Sequence, residues 1–262
     1  MPGADGVGVA EFGRSLGPRL RLLGDLLRSG GYQAQPVRLV PSTRGGRRRE
    51  RGVPTVADRI AQRAVLHVCG SRLQSSGSET SFAYQRGRSW MDALAKARHH
   101  GENGLRWVFR TDIADYFASI DHQALRSAVA DRVRDDEVTD LIAQWSAAPV
   151  LSDDGVRDVR RGIPEGAPIS PALANLFLAA LDRAVDGRHG RLVRYADDLA
   201  LFCPDLDSAV AGAEHILLEL AALGLRANQA KTYLSSFEAG FRLLGWEFEG
   251  GSGRPPTGGG QW

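Results

Sequence analysis

The chain has 262 residues, 43% hydrophobic and 24% charged, with a formal net charge of +2. These proportions suit a globular protein of one large or two small domains and exclude collagen, a disulfide scaffold and wholesale disorder. Two cysteines (Cys69 and Cys203), no apolar N-terminal leader, and a longest apolar run (Pro171 to Leu181) broken by Asn175 predict a soluble cytoplasmic protein with no membrane partner.

In chain order, Leu16 to Leu27 has apolar positions every three to four residues and predicts a helix, stopped by Ser29 to Gly31. Val37 to Val40 reads as a short extended run ending at Pro41. Thr43 to Gly52 is a basic, hairpin-like loop with glycines at its turn. Thr55 to Leu73 is a helix with Val56, Ile60, Ala64 and Val68 near one face. A polar Ser/Gly loop follows to Ser81, and Ser89 caps the next helix. From Arg106 the period changes to two, which makes Trp107 to Asp112 a strand ending on an aspartate. Helices are predicted from Asp121 to Val133, from Asp136 to Ala147 and from Pro171 to Val185, with a hairpin around Asp153 to Gly155 between the last two. Leu192 to Tyr195 and Leu199 to Cys203 are strands separated by Ala196, Asp197 and Asp198. Ser208 to Leu223 is a helix ended by Gly224, and two strands follow near Lys231 to Ser235 and Phe241 to Glu249. The tail from Gly250 to Trp262 is rich in Gly and Pro and is expected to be disordered.

The charge is unevenly spread. Residues 1–110 hold 19 Lys and Arg against 8 Asp and Glu, and residues 111–262 hold 14 against 23. A basic surface for a polyanion is thus joined to a part that concentrates carboxylates. The most informative carboxylates are in Tyr195-Ala-Asp-Asp198. Adjacent carboxylates at a hairpin tip raise each other's pKa, a cost that a hard divalent cation such as Mg²⁺ removes. An ordinary Asx turn accounts for Asp-Asp equally well. Asp112, which also ends an apolar strand, adds a third carboxylate. Three such groups on neighbouring strand ends can hold two Mg²⁺ about 3.5–4 Å apart, a clamp for phosphoryl transfer.

The order and spacing of several motifs resemble a bacterial reverse transcriptase of the group II intron-like type. Phe109-Arg-Thr-Asp112-Ile-Ala-Asp-Tyr-Phe117-Ala-Ser-Ile-Asp-His122 resembles the motif with the first catalytic aspartate. Arg161-Gly-Ile-Pro-Glu165-Gly-Ala-Pro-Ile-Ser-Pro171-Ala-Leu-Ala-Asn175 resembles the loop-helix motif beneath the templating pair, and Leu192 to Asp198 the catalytic hairpin. Gly224 to Thr232 resembles the lysine-bearing motif and Phe241 to Trp246 the primer grip. Gly46 to Thr55, with Asp58 to Gln62, resembles the fingers segment.

The resemblance implies an α/β (α+β) fold: a polymerase right-hand palm with a ferredoxin-like antiparallel sheet, mainly helical fingers, and no evident thumb. It implies fingers over residues 1–105 and palm over 106–249, with 122–190 partly returning to the fingers. Asp112, Asp197 and Asp198 would be catalytic and bind two Mg²⁺, for which Mn²⁺ could substitute, with Ile113 lending its carbonyl. Arg47, Arg49, Ala114, Asp115, Tyr116, Phe117, Glu165 and Lys231 would meet the incoming nucleotide. Guanidinium groups suit a triphosphate because they pair bidentately with its oxygens; a solvated basic loop is the rival reading of the arginine run. Lys231 would protonate pyrophosphate, or is a surface lysine. Phe117 would exclude a 2′-hydroxyl, or is a buried aromatic. Leu244, Gly245 and Trp246 would position the primer end, or are core.

Three departures from the family pattern stand out. Glu165 replaces the glutamine of the loop motif. Phe82 to Ser89 matches only in part, with Gln85 and Arg86 in place of arginine and proline. Few residues follow Trp246, so a helical thumb is not expected, and a partner protein or structured RNA would supply its grip. The function expected is RNA-directed DNA polymerisation from an RNA template, a DNA or RNA primer and dNTPs, in a domesticated enzyme of antiphage defence or CRISPR adaptation. The alternatives are a retired, polymerase-like RNA-binding subunit and a template-independent or protein-primed polymerase.

Overall fold

The computed structural model describes residues 1–44, 47–74, 79–250 and 252–254, with backbone alone at 44, 47–49 and 252–254. The chain begins with α1 (Val9–Arg14), α2 (Leu16–Arg28), β1 (Val37–Arg44), β2 (Arg47–Val53), α3 (Val56–Leu73) and α4 (Trp90–Glu102). It continues through β3 (Trp107–Asp112), the single turn α5 (Tyr116–Ser119), α6 (His122–Val133), α7 (Asp136–Ser146), β4 (Val150–Ser152) and β5 (Gly155–Arg157). Last come α8 (Ser170–Val185), β6 (Arg191–Tyr195), β7 (Asp198–Cys203), α9 (Leu206–Ala222), β8 (Tyr233–Ser236), β9 (Phe241–Leu243), β10 (Trp246–Glu249) and β11 (Ser252–Arg254).

Short polar side chains set several helix starts by accepting from otherwise orphaned N–H groups. Asp121 accepts from Ala124, Asp135 from Val138 and Asp205 from Ser208. Ser89 and Asp92 form a reciprocal capping box at α4.

The chain divides into two compact units, one of residues 1–73 with 120–173 and one of 74–119 with 174–262. The division differs from the expected boundary near residue 105, because α4 packs on β6 and β7 and so belongs with the later strands. In the first unit the sheet order is β2-β1-β4-β5. β1 and β2 pair antiparallel from Arg38↔Val53 to Arg44↔Arg47, so the stretch read as a basic loop is largely strand. Val37 pairs in parallel with Val150. A buried polar network joins the helices: Trp145 Nε1 donates to the Tyr32 hydroxyl at 2.7 Å, Tyr32 donates to Asp58, and Thr55 Oγ1 donates to Asp58 at 2.7 Å.

In the second unit the sheet order is β6-β7-β3-β8, antiparallel throughout. Taken as the first, second, third and fourth strands of a motif, β3, β6, β7 and β8 lie in the order of a split βαβ, ferredoxin-like sheet. Alternation gives each face its own partners. Val108, Val193, Ala200 and Phe202 face Ala93, Leu94 and Ala97 of α4 together with Phe237, Phe241 and Phe248. On the other face, α9 lies against β3 and β7, and a Cβ at Gly212 would come within 2.3 Å of Leu201 Cδ2.

Two details differ from the sequence reading. Phe241 to Glu249 is a hairpin rather than one strand, with Leu244 and Gly245 both at positive φ (49° and 77°), as a two-residue type I′ turn requires. The tail expected to be disordered from Gly250 instead continues the sheet, since Ser252–Arg254 pairs with β10; residues 251 and 255–262 lie outside the described residues.

Candidate active site

Register builds the site. β3 pairs with β7 so that Asp112 stands directly opposite Asp198, and β6 pairs with β7 so that Tyr195 stands opposite Asp198. Ala196 and Asp197 are therefore a two-residue turn, shorter than the three-residue separation read from the sequence. Ala196 has φ 57°, the left-handed first position such turns use and one that costs a residue with a Cβ about 1–2 kcal/mol. The Ile113 N–H donates to the Asp197 carbonyl at 3.1 Å and fastens the turn to the end of β3.

A buried ion pair lies behind this turn. Arg194, fully buried, donates from Nε and Nη2 to the two oxygens of Asp182 at 2.7 and 2.6 Å. Its Nη1 donates to Asn175 Oδ1 and to the Ala196 carbonyl, each at 3.0 Å. Burial opposes the Arg194 charge, but Asp182 outweighs it and holds the pKa above its usual value.

Basic groups flank the carboxylates. Lys231 Nζ donates to Asp112 Oδ2 at 2.8 Å, and Asn228 Nδ2 reaches Asp112 Oδ1 at 3.4 Å. Arg110 Nη2 lies 2.7 Å from Asp198 Oδ1. Burial, followed by the charge of Asp112, pushes the Asp197 carboxyl up to about 6. Burial also raises Asp198, against the pull of Arg110. Among the described residues no three acidic, His or Cys side chains stand as a ready-made metal cluster, with Asp112 turned to Lys231 and Asp198 to Arg110. The donor set still fits a hard cation, because Asp112, Asp197 and Asp198 occupy adjacent positions of one sheet end and turn, and the half-buried Asp197 has its charge disfavoured.

The other expected residues fall as follows. Ala114 donates its N–H to the Arg226 carbonyl at 2.8 Å, and Asp115 is exposed with φ 45°. Tyr116 is buried and donates to the Ala174 carbonyl; Phe117 beside it is half-buried, ring centroids 5.7 Å apart. Leu244 and Trp246 pack on the aromatic core, with Trp246 6.1 Å from Trp90. Arg47, Arg49 and Glu165 belong to the first unit. The side chains of Arg47 and Arg49 lie outside the described residues. The Glu165 carbonyl accepts from Gly52 at 3.0 Å, and Gly166 (φ 123°) sits where a Cβ would come within 2.7 Å of the Arg51 side chain and the Gly52 carbonyl oxygen.

The sequence reading missed Arg110, Asn228 and Arg194. Period two was signal enough for Arg110, which shares a strand face with Asp112.

No helix of the described residues is long and apolar enough to cross a membrane. The reverse transcriptase (RNA-dependent DNA polymerase) family pattern matches residues 40–248. Protein YkfC of Escherichia coli is 29% identical over 93% of this chain and 74% of its own length. The group II intron-encoded protein LtrA of Lactococcus lactis is 30% identical over 61% of this chain, which spans 27% of LtrA. The Escherichia coli retron Ec86 reverse transcriptase is 36% identical over 28% of this chain and 24% of its own length. Among solved structures, a Candida albicans telomerase bound to a fragment of telomeric RNA superposes over 84% of this chain and 46% of its own, with TM-score 0.66 and 13% identity, a likeness of fold. With Asp112 and Asp198 paired at one end of its ferredoxin-like sheet, Asp197 in the adjoining turn, and the family pattern spanning most of its length, the chain belongs to the reverse transcriptase family.

Proposed function

We propose that this chain polymerises DNA on an RNA template, joining dNTPs to a primer 3′-hydroxyl. The observation that carries the reading is the β3–β7 register, with Asp112 opposite Asp198 and Asp197 in the adjoining turn. Asp112, Asp197 and Asp198, with the Ile113 carbonyl, are the residues that would hold Mg²⁺ or Mn²⁺. Bound there, a pair of such ions supplies charge stabilisation at the attacking and leaving oxygens. The O3′–Pα bond forms as the bond from Pα to pyrophosphate breaks, the 3′-hydroxyl giving up its proton to solvent, and catalysis is mainly positioning and electrostatics. Lys231 is the proton donor to the leaving pyrophosphate, Arg47 and Arg49 hold the triphosphate, and the half-buried Phe117 ring packs under the sugar and selects against a 2′-hydroxyl. Leu244, Gly245 and Trp246 seat the primer end. In this reading the second unit is the palm and the first the fingers, and a partner protein or structured RNA completes the grip on the duplex. The setting is cytoplasmic, in antiphage defence or CRISPR adaptation. Challenging cells that carry the wild-type or the Asp197→Asn chain with phage tests the defence role.

Primer extension on poly(rA)/oligo(dT) with Mg²⁺ tests the chemistry. The wild type is expected to incorporate dTTP in preference to UTP, and Asp197→Asn/Asp198→Asn to lose at least about 10³-fold in rate, a barrier rise of about 4 kcal/mol. Equal use of UTP would remove the steric role of Phe117, and undiminished synthesis by the double variant would remove the aspartates from the chemistry.

A further inference from the structure

Arg110 occupies an expensive position. It sits in one of the two inner strands of the palm-type sheet with a side chain only 10% exposed, where a Val or Ile would normally serve. Its register partner on β7 is Ala200, whose small side chain leaves room for the guanidinium to reach along the strand to Asp198. The ion pair to Asp198 at 2.7 Å uses one nitrogen, while Nε and Nη1 are buried without a hydrogen-bond partner. Burying an arginine with two idle donors costs free energy that a merely structural residue has no reason to incur. Among the described residues its one ion-pair partner is a carboxylate of the site.

The charges at the site are three carboxylates, with Arg110 on Asp198 and Lys231 on Asp112. Two of the three negative charges are thus balanced by the protein's own cations. A divalent ion arriving there meets Lys231, which is half exposed on a flexible stem and free to swing away. It also meets Arg110, which is fixed by burial and stays. We propose that Arg110 is a built-in counter-cation of the metal site, which balances the Asp198 charge when no metal is present and holds down the affinity for the first divalent ion. This rests on the reading of Asp112, Asp197 and Asp198 as metal ligands.

The test is binding of Mn²⁺ alone to the purified full chain, read from the spin-resonance signal of free Mn²⁺ at neutral pH, together with thermal unfolding with and without the ion. Arg110→Met removes the charge at similar length, and Arg110→Lys keeps it. Removing a fixed positive charge next to a ligand is expected to tighten Mn²⁺ binding roughly three- to tenfold. R110M should also unfold at lower temperature than the wild type without metal and gain more from Mn²⁺, whereas R110K should bind as the wild type does. A structural role predicts the opposite for binding, since a disordered Asp198 binds metal worse. Equal or weaker Mn²⁺ binding by R110M overturns the proposal while leaving the metal site intact. Wild-type binding no stronger than that of Asp197→Asn/Asp198→Asn overturns the metal site, and the role of Arg110 falls with it. If R110M is unfolded without metal, refolding in millimolar Mn²⁺ supports the proposal and failure to refold overturns it.

Discussion

Arg194 shows how much one side chain does for the turn at Ala196 and Asp197. Its fork grips Asp182 while its remaining nitrogen fixes Asn175 and the carbonyl of Ala196, the residue in the left-handed conformation. Arg194→Met leaves the Asp182 carboxylate buried and unpaired and is expected to cost about 3–5 kcal/mol, measured by urea unfolding; a loss under 1 kcal/mol would mean that Asp182 finds another partner. His100 gives a residue-scale pH dependence. Burial against Phe202 lowers its pKa from 6.5 to about 4, and its Nε2 is buried without a hydrogen-bond partner. A depressed histidine stays neutral in the folded chain while the unfolded chain takes up a proton, so its stability term is fully present above pH 6.5 and is lost as pH falls toward 4. The loss is about 3 kcal/mol, and His100→Leu should flatten that acid limb. Asp197 works in the other direction: its raised carboxyl makes the metal-free fold more stable as pH falls from about 6 toward 4, so Asp197→Asn should steepen the same limb. Stability measured at four pH values between 4 and 7 separates the two.

Among elements, those with a strong period or a polar cap were legible in the sequence. Trp107 to Asp112 opens on three strand-forming apolar residues and ends on an aspartate, and the helices after Ser89 and Asp121 carry their caps in plain view. Close approaches were not legible, because they depend on what lies opposite. Gly101 looks like an ordinary late-helix glycine, yet a Cβ there would come within 2.5 Å of the Phe237 ring. That gap lets α4 settle on an aromatic cluster in which Phe241 and Phe248 stack at 5.0 Å. Gly101→Ala is therefore expected to destabilise by about 1–3 kcal/mol, although alanine is the better helix former; a melting temperature at or above the wild type would show that Phe237 yields freely. Of the site, the three aspartates were readable from the family motifs. Asn228 and Arg194 were not legible, because amide and basic side chains are common and what they meet is set by the fold; for Arg110 the period of two was the sign. The hairpin at Leu244 was hidden because its turn is Leu244-Gly245, with an unusual leucine at the first left-handed position in place of Asn or Asp.

The molecule as a whole threads its two units discontinuously, passing between them after Leu73, Ser119 and Leu173. Neither unit is a contiguous stretch of sequence, so one cut near residue 105 does not describe the division, although the expected return of part of 122–190 to the first unit has its counterpart in 120–173. A fragment of residues 106–249 keeps the aspartates but lacks Phe82, Ala93, Leu94 and Ala97, which cover one face of the sheet. Expressed alone, it is expected to be aggregated or molten, whereas adding back residues 79–105 should recover part of the near-ultraviolet dichroism of the packed aromatics; a sharp cooperative melt from the shorter piece would contradict this.

The inner position of β3 also matters for how the protein is made. Its neighbours β7 and β8 lie far downstream, so Trp107 to Asp112 leaves the ribosome with both edges bare and must wait for Asp198 to Cys203. At bacterial elongation speeds of roughly 5–20 residues per second, that wait is on the order of 4–20 s. An apolar strand unprotected for so long is an invitation to pair with a neighbouring nascent chain. Soluble yield should therefore depend on chaperone supply and on the rate of synthesis more than on the final stability of the fold.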